Sequence, residues 1–209
     1  AVTEPEAITF ETLCFFFAGY EGSFVYTFPR GYDNRYWQAI ANANQFVATY
    51  EDIVLDRKEF TDFSVSCETP TPGEVAVKSA YFPNAAPLRI IQSVGFQRGD
   101  TRLLAVGNFW QRGECFFRLK VKLPEGAYVL RQPDRNLLFS NPSGASSWRA
   151  SELASGALLH VGALRWACFT VEPADADTEA EALSQAEIRS CMSERMPAIQ
   201  TAFERAREK

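Results

Sequence analysis

The side chains able to carry metal or nucleophilic chemistry are sparse in this sequence. The only histidine, His160, lies in a strand pattern with no cysteine or carboxylate at zinc-ligand spacing. The chain has no GxSxG elbow for a nucleophilic serine and no glycine-rich phosphate loop. The sequence therefore predicts a packing role for His160, no metal site and no cofactor.

Five cysteines are spread along the chain, and no two have the CxxC spacing of redox or metal sites. Four lie in apolar helix or strand patterns, which predicts small buried side chains. The odd number disfavours a disulfide framework and favours a reducing, cytoplasmic compartment. No signal peptide is expected, since the chain opens without a basic-then-apolar leader. The cysteines are Cys14, Cys67, Cys115, Cys168 and Cys191.

Net charge argues against nucleic acids as partners, and the lack of an uninterrupted apolar stretch argues against a membrane span. The 21 basic and 26 acidic residues give a net charge of −5, so no basic excess supports nucleic-acid binding. The most apolar stretch, residues 13–28, is interrupted by Glu21 and by glycines, which argues against a membrane span. Hydrophobic residues at 46% indicate a folded chain with a core.

The first sixty residues have the pattern of an α/β unit. Residues 6–18 predict a helix that stops at Gly19, and its run over residues 13–18 is apolar on all sides, which predicts that the helix is buried. Residues 23–28, SFVYTF, predict a strand buried on both faces, followed by a loop over residues 29–34. Residues 35–55 have apolar positions in steps of three and four, which predicts a long amphipathic helix. A single buried strand needs neighbours that residues 1–60 do not supply.

From Phe60 the hydrophobic period changes to two, and turn signals recur at short intervals. This pattern predicts an antiparallel β-sandwich over residues 61–173. Arg118, Lys120 and Lys122 alternate with apolar residues and predict a solvated strand face. The predicted strands are 63–67, 75–82, 88–97, 102–110, 114–123, 128–132, 136–140, 157–161 and 164–172.

Residues 174–209 form a charged tail. Thr178 and Glu181 have the spacing of a capping box, which predicts a helix that ends near Met192. Pro197 suits the first turn of a second short helix.

The order of these parts resembles the C-terminal end of a TIM-barrel glycoside hydrolase. The segments that carry the resemblance are FAGYEGSFVYTF, YWQAIANANQFVATYEDIV, LLAVGNFW and ALLHVGALRWACFTVEP. The resemblance implies an α+β chain: a terminal (β/α)8-barrel fragment in residues 1–60, an antiparallel β-sandwich and a helical tail. A barrel needs eight strands and this chain offers one, so the chain is expected to be a piece, as the missing initial Met also suggests. The other strands would come from the same or a second polypeptide.

The resemblance also implies where an oligosaccharide or polysaccharide substrate binds. The catalytic carboxylates of such enzymes are expected on earlier strands, outside this chain, so this segment alone is expected to be inactive. The part of the barrel rim that this chain would supply is the loop after Phe28. Tyr32 could stack on a sugar, while Arg30 and Asp33 could bind hydroxyls; the plainer alternatives are a loop residue for Arg30 and a helix cap for Asp33. The implied substrate-binding residues are Tyr26, Thr27, Arg30, Tyr32 and Asp33.

Two other functions remain open from the sequence. The chain could be a non-catalytic carbohydrate-binding or scaffold module, which requires exposed aromatic residues on the sandwich. Trp110 and Trp148 adjoin turns and are the candidates for exposure, whereas Trp166 is expected in the core. Core or interdomain packing is favoured over exposure for these tryptophans. Alternatively, the acidic tail could be the working part of an interaction protein.

Overall fold

A computed structural model shows a mixed α+β chain with antiparallel sheets and a C-terminal helix, as the sequence predicts. The predicted strand over residues 23–28 and the predicted capping box of Thr178 and Glu181 lie outside the described residues. The structure describes residues 5–20, 34–56, 58–75, 87–174 and 182–207.

Two helices form the N-terminal layer, close to their predicted bounds. Helix α1 spans Pro5–Phe17 and ends before Gly19, which has a left-handed φ of +88°. Helix α2 spans Asn34–Val54. Its buried side chains, among them Tyr36, Ala43 and Tyr50, recur at helical spacing and form one face.

Eleven strands follow within the described part of the chain. Most coincide with predicted strands, because alternating side chains reveal a half-buried strand well. The short strand β9 and the helix that follows it were not predicted. The strands are β1 (Phe63–Cys67), β2 (Glu74–Val75), β3 (Leu88–Arg89), β4 (Ile91–Arg98), β5 (Thr101–Asn108), β6 (Cys115–Val121), β7 (Ala127–Gln132), β8 (Leu137–Phe139), β9 (Ser147–Arg149), β10 (Ala157–Val161) and β11 (Arg165–Pro173).

The strands form two antiparallel sheets and a small hairpin. The smaller sheet has the order β1-β6-β10, and in it Phe63 faces Val121 while Cys67 faces Phe117. The larger sheet has the order β4-β5-β11-β7-β8, with β9 paired to β7. Strands β2 and β3 pair only with each other within the described residues.

The two sheets share one hydrophobic core. Leu104 and Phe169 of the larger sheet and Phe117 and Leu159 of the smaller sheet are all buried in it. The rings of Phe117 and Phe169 meet edge to face with centroids 5.9 Å apart, which joins the sheets directly. Burial of each such side chain contributes about 2 kcal/mol, so this core is a main source of stability.

A second core joins the helical layer to the opposite face of the larger sheet. Leu13 and Phe17 of α1 and Tyr50 of α2 pack there against Leu103 and Cys168. The larger sheet is therefore covered on both faces. This double cover explains why residues 103–108 of β5 are all buried and show no polar alternation.

The C-terminal tail is one helix, α4 (Gln185–Arg207), so the prediction of two short helices is wrong. Its capping box is formed by Ser184 and Glu187: the Ser184 amide donates to Glu187 Oε2 over 2.8 Å, and the Glu187 amide donates to Ser184 Oγ over 3.1 Å. Pro197 lies inside the helix. Ile188 and Ile199 lie on opposite sides of Pro197 and are both buried in the first core, which holds both halves in place.

Helix α4 also covers the edge of the smaller sheet. The Gln185 side chain accepts a hydrogen bond from the Leu158 amide over 2.7 Å and donates one to the Leu158 carbonyl over 3.4 Å. The amide side chain thus takes the place of a neighbouring strand at β10, which is an edge in this sheet. A short helix, α3 (Ala150–Ser155), packs beside β6.

Candidate functional site

A cleft of about 720 Å³ opens between the helical layer and the loops of the larger sheet. One wall is α2. The other wall combines the 3-10 turn Pro133–Arg135 with the start of β11 at Arg165 and Trp166. Its size is in the range of small-ligand sites.

The α2 wall carries a stripe of uncharged polar side chains. These residues are four, three and four positions apart, so they share one face of the helix. Gln38 Nε2 donates to Asn42 Oδ1 over 2.8 Å, and Thr49 Oγ1 donates to the Gln45 carbonyl over 2.9 Å. We call this set the amide stripe: Gln38, Asn42, Gln45 and Thr49.

Tyr50 fixes the opposite wall. Its hydroxyl donates to Asp134 Oδ1 over 2.7 Å and accepts from the Asp134 amide over 3.2 Å. The side chain is 1% exposed, and burial raises the pKa of the phenol far above its ordinary value. Tyr50 therefore stays protonated and holds the 3-10 turn against α2.

Trp166 forms the end of the cleft and is half-buried rather than fully in the core. Its Nε1 donates to Cys14 Sγ over 3.4 Å, and its ring stacks on Phe10 with centroids 6.1 Å apart. Gly107 on β5 leaves room for the indole, because a Cβ at that position would lie 2.9 Å from the ring. Trp166 is thus locked in place with part of its surface in the cleft.

The other two tryptophan candidates are not exposed. Trp110 and Trp148 are both buried, and Trp148 Nε1 donates to the Phe139 carbonyl over 2.8 Å. Packing, which the sequence favours over exposure for these tryptophans, is confirmed, since both side chains lie in the core between the sheets. They do not form a sugar-binding surface.

Charge in the cleft is mainly positive. Arg35, Arg135 and Arg165 line it, and Asp134 is the acidic residue among the described lining side chains. That carboxylate already accepts the Tyr50 hydrogen bond. Acid–base hydrolysis of a glycoside needs two facing carboxylates, which the described lining does not supply. Guanidinium, amide and indole groups fit a binding surface for a polar ligand.

His160 has the packing role predicted for it. Its ring lies 4.6 Å from the Phe116 ring, and its Nε2 lies 2.7 Å from Glu114 Oε2, which also accepts from Arg195 Nη1 over 2.6 Å. Burial lowers the pKa of His160, and the Glu114 carboxylate opposes that shift. The described residues contain no group of three side chains suited to a metal ion. None of the described helices is long and apolar enough to span a bilayer.

The substrate-binding residues predicted from the sequence, Tyr26, Thr27, Arg30, Tyr32 and Asp33, lie outside the described residues. The described chain resumes at Asn34, and its next residue, Arg35, lines the cleft. The N-terminal end of α2 therefore lies at the cleft. Comparisons of the chain with family models, with curated proteins and with solved structures each found no match.

Proposed function

We propose that this chain is the C-terminal portion of a glycoside hydrolase. In this proposal, residues 1–60 supply the last strand and helix of a barrel. The two-sheet unit over residues 61–173 buttresses that barrel, and the catalytic carboxylates lie on strands outside the chain. The segment alone is then inactive.

The observation that carries the proposal is the outer face of the helical layer. Residues 13–17 of α1 are all apolar, yet Phe15 is 52% exposed and Tyr20, just beyond the helix, is 60% exposed. Their rings contact each other edge to face at 5.6 Å, and Trp37 of α2 is 55% exposed. A helical stretch that is hydrophobic all round belongs in an interior. The remaining strands and helices of a barrel would cover this face.

The inner face of the same layer supports the buttressing role. Helices α1 and α2 share a hydrophobic core with the larger sheet, and Tyr50 adds a hydrogen-bonded link to Asp134. A barrel whose last helix is fixed in this way to the two-sheet unit would unfold less readily at that end. The two-sheet unit would contribute this stability without having to touch substrate.

The cleft supports the proposed place of the substrate. In barrels, substrate lies at the end where strands run into their following helices, which here is the N-terminal end of α2. Arg30, Tyr32 and Asp33 precede that end directly in sequence, and Arg35 and the amide stripe follow it. Loop and cleft would together form one polar border of the substrate site.

The experiment that tests this border is Tyr32→Ala in the complete enzyme. Loss of a ring stacked on a sugar should weaken substrate binding by about 1 kcal/mol, or roughly fivefold in KM, with kcat changed less. Tyr32→Phe keeps the ring and serves as the matched control, with KM near that of the parent. Unchanged kinetics in Tyr32→Ala would remove the loop from the site.

The cleft also favours one alternative, a non-catalytic carbohydrate-binding module. Its amide stripe and Trp166 offer the hydrogen bonds and the ring that such a module needs, while Trp110 and Trp148 are buried. Under this alternative, oligosaccharides should quench the tryptophan fluorescence of the isolated chain. Trp166→Phe should remove that response. No quenching across a broad glycan panel would count against the module.

A further inference from the structure

Two thiols from distant parts of the sequence meet at the end of the smaller sheet. Cys67 is the last residue of β1 and faces Phe117, and Cys115 begins β6 two residues before Phe117. Side chains two apart on a strand point to the same face, so Cys67 and Cys115 are diagonal neighbours. Cys115 Sγ donates to the Phe116 carbonyl over 3.4 Å, and the neighbouring Cys115 thiol is the main cause of a lowered pKa at Cys67. We call Cys67 and Cys115 the thiol pair.

The two members of the thiol pair differ in access to solvent. Cys115 is fully buried in the core between the sheets, whereas Cys67 is exposed. The prediction that four cysteines are buried is therefore wrong for Cys67, because β1 is an edge strand of the described sheet. A groove of about 630 Å³ lies beside Cys67, with Thr71 and Arg89 in its lining. A small reagent can thus reach one thiol of the pair but not the other.

We propose that Cys67 and Cys115 form a redox-active dithiol that a low-molecular-weight disulfide oxidises to an intramolecular disulfide. The Cys67 thiolate attacks one sulfur of the small disulfide, whose S–S bond breaks and whose other half leaves as a thiolate. Cys115 then attacks Cys67 Sγ, and the second small thiol leaves with the proton of Cys115. The protein gives up two electrons, and one small disulfide becomes two thiols.

Acidity of the thiols supports this order of events. The neighbouring Cys115 thiol lowers the pKa of Cys67 to about 7, while the Cys67 thiol and burial raise the pKa of Cys115. Cys67 therefore supplies the attacking thiolate, and Cys115 keeps its proton until the second step. Burial raises the pKa values of Cys14 and Cys168, which keeps those thiols out of the reaction.

Formation of the disulfide involves the backbone at the end of β1. Regular pairing in β1 ends at Cys67, and the adjoining chain is held by the Glu68 amide bonded to the Phe116 carbonyl and by the Phe116 amide bonded to Thr69 Oγ1. Diagonal neighbours on paired strands lie about 7–8 Å apart, beyond the usual Cα separation for a disulfide, so closure requires the backbone to move at this strand end. The proposal places that movement where the regular pairing of β1 ends.

The test is to incubate the full chain with oxidised glutathione and to map its non-reduced peptides by mass spectrometry. We expect the loss of two of the five thiols and a cross-linked pair of peptides that contain Cys67 and Cys115. Dithiothreitol should restore both thiols. A mixed disulfide on Cys67 that persists without closing, or oxidation confined to other cysteines, would overturn the proposal.

Single variants separate the two steps. In Cys115→Ala, the reaction should stop at the mixed disulfide between glutathione and Cys67. In Cys67→Ser, Cys115 should stay unreacted because no small disulfide reaches it. Cys191→Ser is the control, and its thiol pair should close as in the parent. Circular dichroism reports whether each variant folds. If Cys115→Ala does not fold, the peptide map of the parent chain still tests the proposal. Neither result depends on the proposed glycoside hydrolase function.

Discussion

Replacement of Tyr50 by Phe removes the link between α2 and the 3-10 turn that forms the far wall of the cleft. The hydroxyl donates to Asp134 Oδ1 over 2.7 Å and accepts from the Asp134 amide over 3.2 Å. The ring itself would stay in place, since it packs 4.9 Å from the Phe46 ring and the site is 1% exposed. The substitution therefore tests the hydrogen bonds rather than the packing.

The expected cost follows from these two bonds. A bond to a charged acceptor contributes about 1.5–3 kcal/mol net and a neutral one about 0.5–1.5 kcal/mol. Asp134 is exposed, so water replaces part of what it loses. We expect the free energy of unfolding to fall by about 2 kcal/mol, or about 4–8 °C in Tm for a chain of this size.

Urea unfolding followed by tryptophan fluorescence measures this loss. Tyr128→Phe is the matched control, because its hydroxyl makes a single 3.0 Å bond to the Pro124 carbonyl at the surface. That variant should lose less than about 0.5 kcal/mol. Equal losses in Tyr50→Phe and Tyr128→Phe would refute the claim that Tyr50 clamps the cleft wall.

Two further predictions concern a close contact and a titration. Gly107→Ala should lower the free energy of unfolding in urea by about 1–3 kcal/mol, because the new Cβ meets the Trp166 ring at 2.9 Å; Gly73→Ala, which meets nothing within 4 Å, should be near neutral. His160 should titrate below the ordinary histidine pKa by NMR, and Glu114→Gln should lower its pKa further, since that carboxylate favours the charged ring. Because the folded pKa is depressed, the His160 contribution to stability is present above the unfolded pKa and is lost as pH falls through the folded one. A His160 midpoint at or above the ordinary value, or no change in Glu114→Gln, would contradict the burial argument.

Hydrophobic period was enough to predict most of the regular structure. The strands Phe63–Cys67 and Ala157–Val161 have the bounds expected from the sequence, and α2 differs from its prediction by one residue at each end. In each of these elements, the side chains that face a core recur at the period of the element. The spacing of apolar residues in the sequence therefore predicts which side chains of these elements face a core.

Elements that depend on packing elsewhere in the chain were not predictable in this way. Pro197 suggests a helix start locally, but burial of Ile188 and Ile199 in one core keeps α4 continuous. Trp148 lies in a serine-rich stretch that suggests a loop, yet its segment pairs with β7 as β9 and its Nε1 donates to the Phe139 carbonyl inside the core. Local propensity yields to tertiary contacts at such positions.

The cleft and the thiol pair differ in how far sequence could reveal them. The amide stripe is visible in the sequence as polar residues at steps of three and four, but such a stripe is usually a plain solvated face. Cys67 and Cys115 have no local spacing that predicts their contact. Only the pairing of β1 with β6 brings them together.

The most direct test of the central claim is hydrolysis of glycosidic bonds by the source protein, purified under native conditions. Reducing ends released from a broad panel of oligosaccharides and polysaccharides are measured, and intact mass identifies the polypeptides present. Our account predicts hydrolysis by a protein with mass beyond the 23.4 kDa of this chain, and none by residues 1–209 alone. A source protein of 23.4 kDa that has no second polypeptide and releases no sugar would contradict it.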